Sequence, residues 1–202
     1  MPDIVAAQAG KGIWSIMDTD RGYMQIIMAL LSIFLTAFEM FHQMWESTRM
    51  LFGMTGAPAT FHRNMTIMMK PVLKKFQGLV NLFFDDIIVG TGKDDWGIHA
   101  DVIEAIMKAA ENKGWKFGAH KMHFGYNKMR LLGITMTPQG RSPDPEKQDT
   151  LLQMRIPRTA SELKSFIDLA QWFSEHIPGL SWKTILLRRM IVDAGSPSTK
   201  LI

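Results

Sequence analysis

The sequence predicts an α+β fold, a split βαβ unit followed by a helical appendage, and three observations carry that expectation. Short apolar runs rich in Phe, Ile and Val, the composition of buried strands, alternate with longer segments whose apolar residues recur at helical spacing. A Pro- and Gly-rich connection, TPQGRSPDPEK at 137–147, divides this mixed pattern from a remainder that is helical throughout. Two adjacent acids, Asp85 and Asp86, sit inside one of the apolar runs, NLFFDDIIVG. An unpaired carboxylate on a buried element is costly, so the pair marks a turn or a site.

Residues 13–17 read as a short strand ending at Asp18. The uncharged run at 22–38, GYMQIIMALLSIFLTAF, falls short of the ~20 apolar residues of a membrane span. It also contains Gln25, Ser32 and Thr36, so a buried strand followed by a helix is expected there, with a membrane contact the weaker alternative. Ala57 and Pro58 open a helix at 59–76, striped by Phe61, Met65, Met68, Met69 and Leu73. Its basic end, Lys70, Lys74 and Lys75, suits the negative pole of the helix dipole. Residues 79–89 are the strand pair around the acids, with Asp85 and Asp86 as the turn. The next helix is capped by Asp94 or Asp95, carries Ile98, Val102, Ile103, Ile106 and Ala110 on one face, and stops at Gly114.

Short strands are expected at 115–117 and 129–136, and an irregular connection at 137–147. Helices follow at 146–154 and at 159–176, the latter capped by Thr159 or Ser161, and another begins near Ser181. The chain thus divides into residues 1–139, a helical region at 140–190 and a frayed tail at 191–202.

With 202 residues and 47% hydrophobic content the chain is able to build a core. Lys and Arg total 23 against 19 Asp and Glu, a formal net charge of +4, which is compatible with a nucleic-acid partner. The absence of Cys excludes disulfides, thiolate catalysis and Cys-based zinc sites. The opening MPDIVAAQAGKG lacks a secretory signal pattern, so an intracellular location is expected.

Two readings of the acids compete. Asp85 and Asp86 can form a solvated hairpin turn, or they can hold a divalent cation, since Mg²⁺ prefers hard oxygen ligands. In a split βαβ unit Asp18, at the end of one central strand, can lie beside the turn of the neighbouring hairpin. Three carboxylates would then converge on two metal ions.

The motifs resemble the reverse transcriptase of gypsy-type LTR retrotransposons and, more distantly, of retroviruses, in register from about Trp14 to Leu187. SIMDTDRGYMQI resembles the first catalytic motif, TRMLFGMTGAPATFHRNM the opening of the long helix, and FFDDIIVG the Tyr/Phe-x-Asp-Asp box. MRLLGITMTPQG resembles the primer-grip hairpin, RSPDPEK the entry to the thumb, and LKSFIDLAQWFSEHIPGLS a thumb helix pair.

The resemblance implies a ferredoxin-like polymerase palm with a remnant of the fingers at 1–139 and a small helical thumb at 140–190. It implies DNA synthesis from dNTPs on an RNA or DNA template-primer, with two Mg²⁺ ions held by Asp18, Asp85 and Asp86. Tyr23 would exclude a 2′-hydroxyl, Phe52 and Gly53 would touch nucleotide and template, and Leu131, Leu132 and Gly133 would form the primer grip.

The chain departs from the family pattern in several places. It begins just before the first catalytic motif, so most of the fingers are expected to be missing and primer extension by the chain alone to be weak or absent. Apolar residues fill 27–35 where the family is polar. Leu51 stands for the expected Pro, Gly118 and Ala119 for Asn-Pro, and Asp168, Gln171, Ser174 and Glu175 stand where the family favours Gly and Arg. The alternative function is therefore a non-catalytic, reverse-transcriptase-derived structural subunit, with a protein partner or another copy covering 27–35.

Overall fold

The structure is a computed structural model that describes residues 2–131, 133–174 and 176–200. In chain order the elements are α1 (Pro2–Gln8), β1 (Ile13–Asp18), β2 (Phe38–Met40), β3 (Gln43–Trp45), α2 (Ala57–Lys75), β4 (Val80–Phe83), β5 (Asp86–Thr91), α3 (Trp96–Glu111), β6 (His123–Tyr126), β7 (Met129–Leu131), β8 (Ile134–Thr137), β9 (Gly140–Pro143), α4 (Pro145–Gln153), α5 (Ala160–Gln171), α6 (Leu180–Lys183) and α7 (Ile185–Ala194). This is the α+β class that the sequence predicts. The chain forms two compact units, one comprising Met1–Met129 with Thr137–Gly140, the other Arg130–Met136 with Arg141–Ile202.

The first unit is built on an antiparallel sheet in the order β4-β5-β1-β6. Strand side chains alternate between faces, so the register of β1 and β5 sorts the chemistry. Ser15 and Met17, with their partners Val89 and Ile87, point to the face covered by α2 and α3, whose Phe61, Met65, Met69, Val102 and Ile106 complete the core. Trp14, Asp18, Asp86 and Gly90 lie on the other face, Trp14 opposite Gly90 and Asp18 opposite Asp86. The Trp14 end of that face is closed by Gln8 of α1, whose Nε2 donates to Asn81 Oδ1 at 2.6 Å and which packs so close to Gly90 that no Cβ would fit there.

Several expectations are corrected. Residues 22–38 are not a buried strand and helix but two turns of 3₁₀ helix, Gly22–Gln25 and Leu30–Thr36, with Leu30 and Leu31 86% and 89% exposed. Up to Thr36 the segment's backbone is tied to another stretch of backbone by Met28 N–H to Thr48 O and Met50 N–H to Ile26 O, each 3.0 Å, a single bridge that builds no strand, and Phe38 opens the exposed strand β2 opposite Trp45 of β3. No helix among the described residues is long and apolar enough to cross a membrane. The acid hairpin turns at Phe84 and Asp85 rather than at Asp85 and Asp86, because Phe83 pairs with Asp86. In α3 the inner position belongs to His99, 2% exposed, while Ile98 is 47% exposed.

Residues 115–117 do not form a strand. Trp115 N–H closes the end of α3 by donating to Ala110 O at 2.9 Å, leaving one bridge between Phe117 and Thr19. The sheet's edge is instead β6, whose pairing with β1 is interrupted by a bulge.

In the second unit, part of the expected irregular connection is strand β9, hydrogen-bonded to β8 in the three-stranded sheet β7-β8-β9. The Asp144 carboxylate caps α4 by accepting from Glu146 N–H at 3.2 Å, and Thr159 caps α5 by accepting from Glu162 N–H at 3.2 Å. The tail is not frayed throughout. Helix α7 runs to Ala194, and the carbonyls of Pro197 and Thr199 accept from the N–H groups of Ser161 and Ala160, first-turn amides of α5 that have no partner within the helix.

Candidate active site

Three acids occupy backbone positions at one end of the β1 and β5 ladder. Asp18 ends β1, Asp86 opens β5 directly opposite it, and Asp85 occupies the turn between β4 and β5. Cross-strand partners share a face, so Asp18 and Asp86 project to the same side of the sheet, away from α2 and α3. A two-residue turn achieves this with Phe84 at φ 53°, a left-handed conformation that a bulky residue rarely adopts.

The electrostatics of this end are unbalanced. Burial pushes the Asp86 carboxyl up to about 6, the negative charges of Asp85 and Asp18 push it the same way, and Lys121 opposes them. Lys121 Nζ donates to Asp18 Oδ2 at 2.8 Å, and the ammonium is held protonated by that bond and by Asp18's charge. Asp18 Oδ1 is buried without a hydrogen-bond partner, as is the neighbouring Thr19 Oγ1. Among the described residues, no three Asp, Glu or His side chains gather closely enough to form a ready-made cation site. The donor chemistry nevertheless fits a hard cation: carboxylate oxygens, one of them an orphaned buried acceptor, and an excess of negative charge that raises one carboxyl.

Beside the acids lies a cavity of about 230 Å³ lined by Arg21, Tyr23, Phe52, Asp85 and Lys121 among others. Tyr23 packs against Phe52 and Phe61 with ring centroids 4.9 and 5.3 Å apart. Phe52 is otherwise 65% exposed, and Gly53 takes φ +87°, which a Cβ would strain. The cavity therefore brings Tyr23, Phe52 and Asp85 together. In the second unit Leu131 is buried and Gly133 adopts φ +78° against the Lys147 side chain. Leu132 lies outside the described residues.

Sequence reasoning missed Lys121, Arg21 and His99. Lys121 carries no local signal, since 103 residues separate it from Asp18. Backbone contacts bring its segment to the end of β1: Gly118 N–H donates to Asp18 O at 3.1 Å and Asp20 N–H to Lys116 O at 3.0 Å.

An antiparallel sheet backed by two helices, with acids from neighbouring strands on its other face, defines an α+β domain of the split βαβ class. The family model described as reverse transcriptase (RNA-dependent DNA polymerase) matches residues 2–136, and the chain belongs to that family. It is 30% identical over 178 residues to the retrovirus-related Pol polyprotein from transposon 297 of Drosophila melanogaster, covering 87% of this chain and 16% of the polyprotein. It is 26% identical over 179 residues to the Pro-Pol polyprotein of simian foamy virus type 3 (strain LK3), covering 89% and 15%. The chain thus spans about a sixth of the length of the curated relatives it matches.

Among solved structures, a foamy viral protease-reverse transcriptase in complex with double-stranded DNA superposes with a TM-score of 0.87 at 22% identity, over 98% of this chain and 34% of that one. Another foamy viral protease-reverse transcriptase, in complex with an RNA/DNA hybrid, gives 0.81 at 23% identity, over 96% and 26%. At these identities the likeness bears on the fold.

Proposed function

We propose that the chain is the palm (1–139) and helical thumb (140–190) of a reverse transcriptase and carries out template-directed DNA synthesis from dNTPs. The observation that carries this reading is the pairing of Asp18 with Asp86 across β1 and β5, with Asp85 in the adjoining turn. Asp18, Asp85 and Asp86 would hold two Mg²⁺ ions. Bound there, such ions would supply Lewis-acid activation of a hydroxyl nucleophile and neutralisation of phosphate charge.

The remaining work falls to side chains. Tyr23, braced by Phe52 and Phe61, is rigid enough to bar a 2′-hydroxyl from the cavity. The exposed Phe52 and the open backbone of Gly53 offer a surface to nucleotide and template. Leu131, Leu132 and Gly133 would steady the primer end. Lys121 orients Asp18 through its 2.8 Å contact.

The test is primer extension on a primed RNA template with Mg²⁺, for the wild type, Asp18→Asn and Asp85→Asn. Weak extension by the wild type, lost in both variants, is the expected result. A second readout is thermal: Mg²⁺ raises the melting temperature of the wild type and leaves that of Asp85→Asn unmoved.

One observation favours a second reading, a non-catalytic palm covered by a protein partner. Ile27, Leu30, Leu31, Phe34 and Leu35 are exposed within nine residues. A folded wild type that extends no primer and shows no thermal response to Mg²⁺ selects this reading. Light scattering on Leu31→Glu with Phe34→Lys then reports whether the patch drives association.

A further inference from the structure

We propose that Arg21 supplies the cation that receives the triphosphate of the incoming nucleotide, an inference that rests on the polymerase reading above. The cavity beside the acids contains two cationic side chains, Arg21 and Lys121. Lys121 is committed to Asp18 at 2.8 Å. Arg21 makes no side-chain hydrogen bond or ion pair among the described residues, so a guanidinium lines the cavity with its donors unspent.

Its backbone is held in place to do this. Arg21 sits at φ 47°, ψ 48°, a left-handed conformation unusual for a residue with a Cβ. The next residue, Gly22, packs so tightly against the Phe61 ring and Thr19 Oγ1 that no Cβ could be accommodated. The turn is thereby locked between β1 and the Tyr23 segment, and the guanidinium is carried at the cavity rather than on a mobile loop.

The surroundings specify the ligand. The packed rings of Tyr23 and Phe52 line the cavity with apolar surface suited to a sugar and base. Asp85 lines it too, and repels a free anion unless a cation accompanies it. A polyphosphate bound to a nucleoside and a divalent cation satisfies all three features. The planar fork of Arg is suited to bidentate contact with phosphate oxygens.

The experiment measures equilibrium binding to the chain loaded with a primed RNA template whose primer ends in a dideoxynucleotide, in Mg²⁺. The probes are the complementary dNTP, the corresponding dNMP and inorganic tripolyphosphate. Arg21→Gly removes the guanidinium while suiting the left-handed backbone, Arg21→Asn is a second neutral variant that tolerates it, and Arg21→Lys restores charge without the fork. Thermal melting confirms that each is folded.

The expected result is that Arg21→Gly and Arg21→Asn bind dNTP and tripolyphosphate about tenfold or more weakly, with dNMP binding within about twofold and Arg21→Lys intermediate. Wild-type dNTP binding that both neutral variants match overturns the role of Arg21 and leaves the polymerase reading standing. A wild type that binds no dNTP overturns that reading, and the role of Arg21 with it.

Discussion

Two polar clusters sit on the same pair of strands, β1 and β5, and they are opposites. On the helix-covered face, His99 of α3 is fully enclosed and both ring nitrogens are used: Nε2 meets Ser15 Oγ at 2.7 Å and Nδ1 meets Thr91 Oγ1 at 2.9 Å. Gly125 N–H adds a further bond to Ser15 Oγ at 3.0 Å. On the other face, at the far end of the ladder, Asp18 and Asp86 oppose each other with one buried acceptor unpaired and one carboxyl raised to about 6. The first cluster is a satisfied network that fastens α3 to the sheet. The second leaves a buried acceptor unpaired and sets like charges together, so it contributes less to the fold than the first.

The largest test of this contrast is His99→Ala. It removes the ring from a closed space and leaves the Thr91 hydroxyl buried without its partner, so it should cost roughly 2–4 kcal/mol in chemical denaturation. A cost within experimental error of zero would mean that the network contributes nothing to the fold.

Asp86→Asn should do the reverse. It removes the charge that burial and the neighbouring acids oppose, so at pH 7.5 it should stabilise the chain by about 1 kcal/mol once solvent screening of a half-buried carboxyl is allowed for. The same change should abolish primer extension. Loss of stability together with loss of activity would remove the claim that this end is strained.

The two clusters also respond to pH in opposite directions. Burial lowers the His99 pKa below 6.5, so the unfolded chain takes up a proton first and stability falls as the pH drops below that value. Asp86 titrates at about 6 when folded against an ordinary 3.8, so the folded chain takes up a proton first and stability rises as the pH drops through 6. In the wild type these slopes have opposite signs. Denaturation between pH 4 and 7.5 should show stability rising toward acid in His99→Gln and falling toward acid in Asp86→Asn, with the Asp86→Asn gain gone near pH 4. Parallel slopes in the two variants would sink the comparison.

The smallest expected effect is at Thr19→Val. The Thr19 hydroxyl is buried and unpartnered, so replacing it with a methyl should be neutral or stabilising by under about 1 kcal/mol. A marked destabilisation would show that the hydroxyl has a role in the site.

Much of this was legible in the sequence because it is periodic or local. The helical recurrence of Phe61, Met65, Met68 and Met69 gave α2, the Val102 and Ile106 stripe gave α3, and the interruption of NLFFDDIIVG gave the acid hairpin. Each of these signals lies within one element, where spacing alone decides which face is apolar. The run at 22–38 misled for the same reason. Its composition matches the core, yet Leu30 and Leu31 are exposed while Met17 and Ile87 are fully buried, because burial needs a partner surface and composition does not provide one.

Tertiary structure alone decided the rest. Register placed Asp18 opposite Asp86, 68 positions apart in the chain, and a one-residue slip would have sent them to different faces. Chain return brought Lys121 to Asp18 and the tail to the start of α5. It also gave the inner position on α3 to His99 rather than Ile98, because Ser15 and Thr91 stand across from it to satisfy both ring nitrogens. Spacing along the chain specifies faces, whereas the pairing of distant polar groups is settled only when the faces meet.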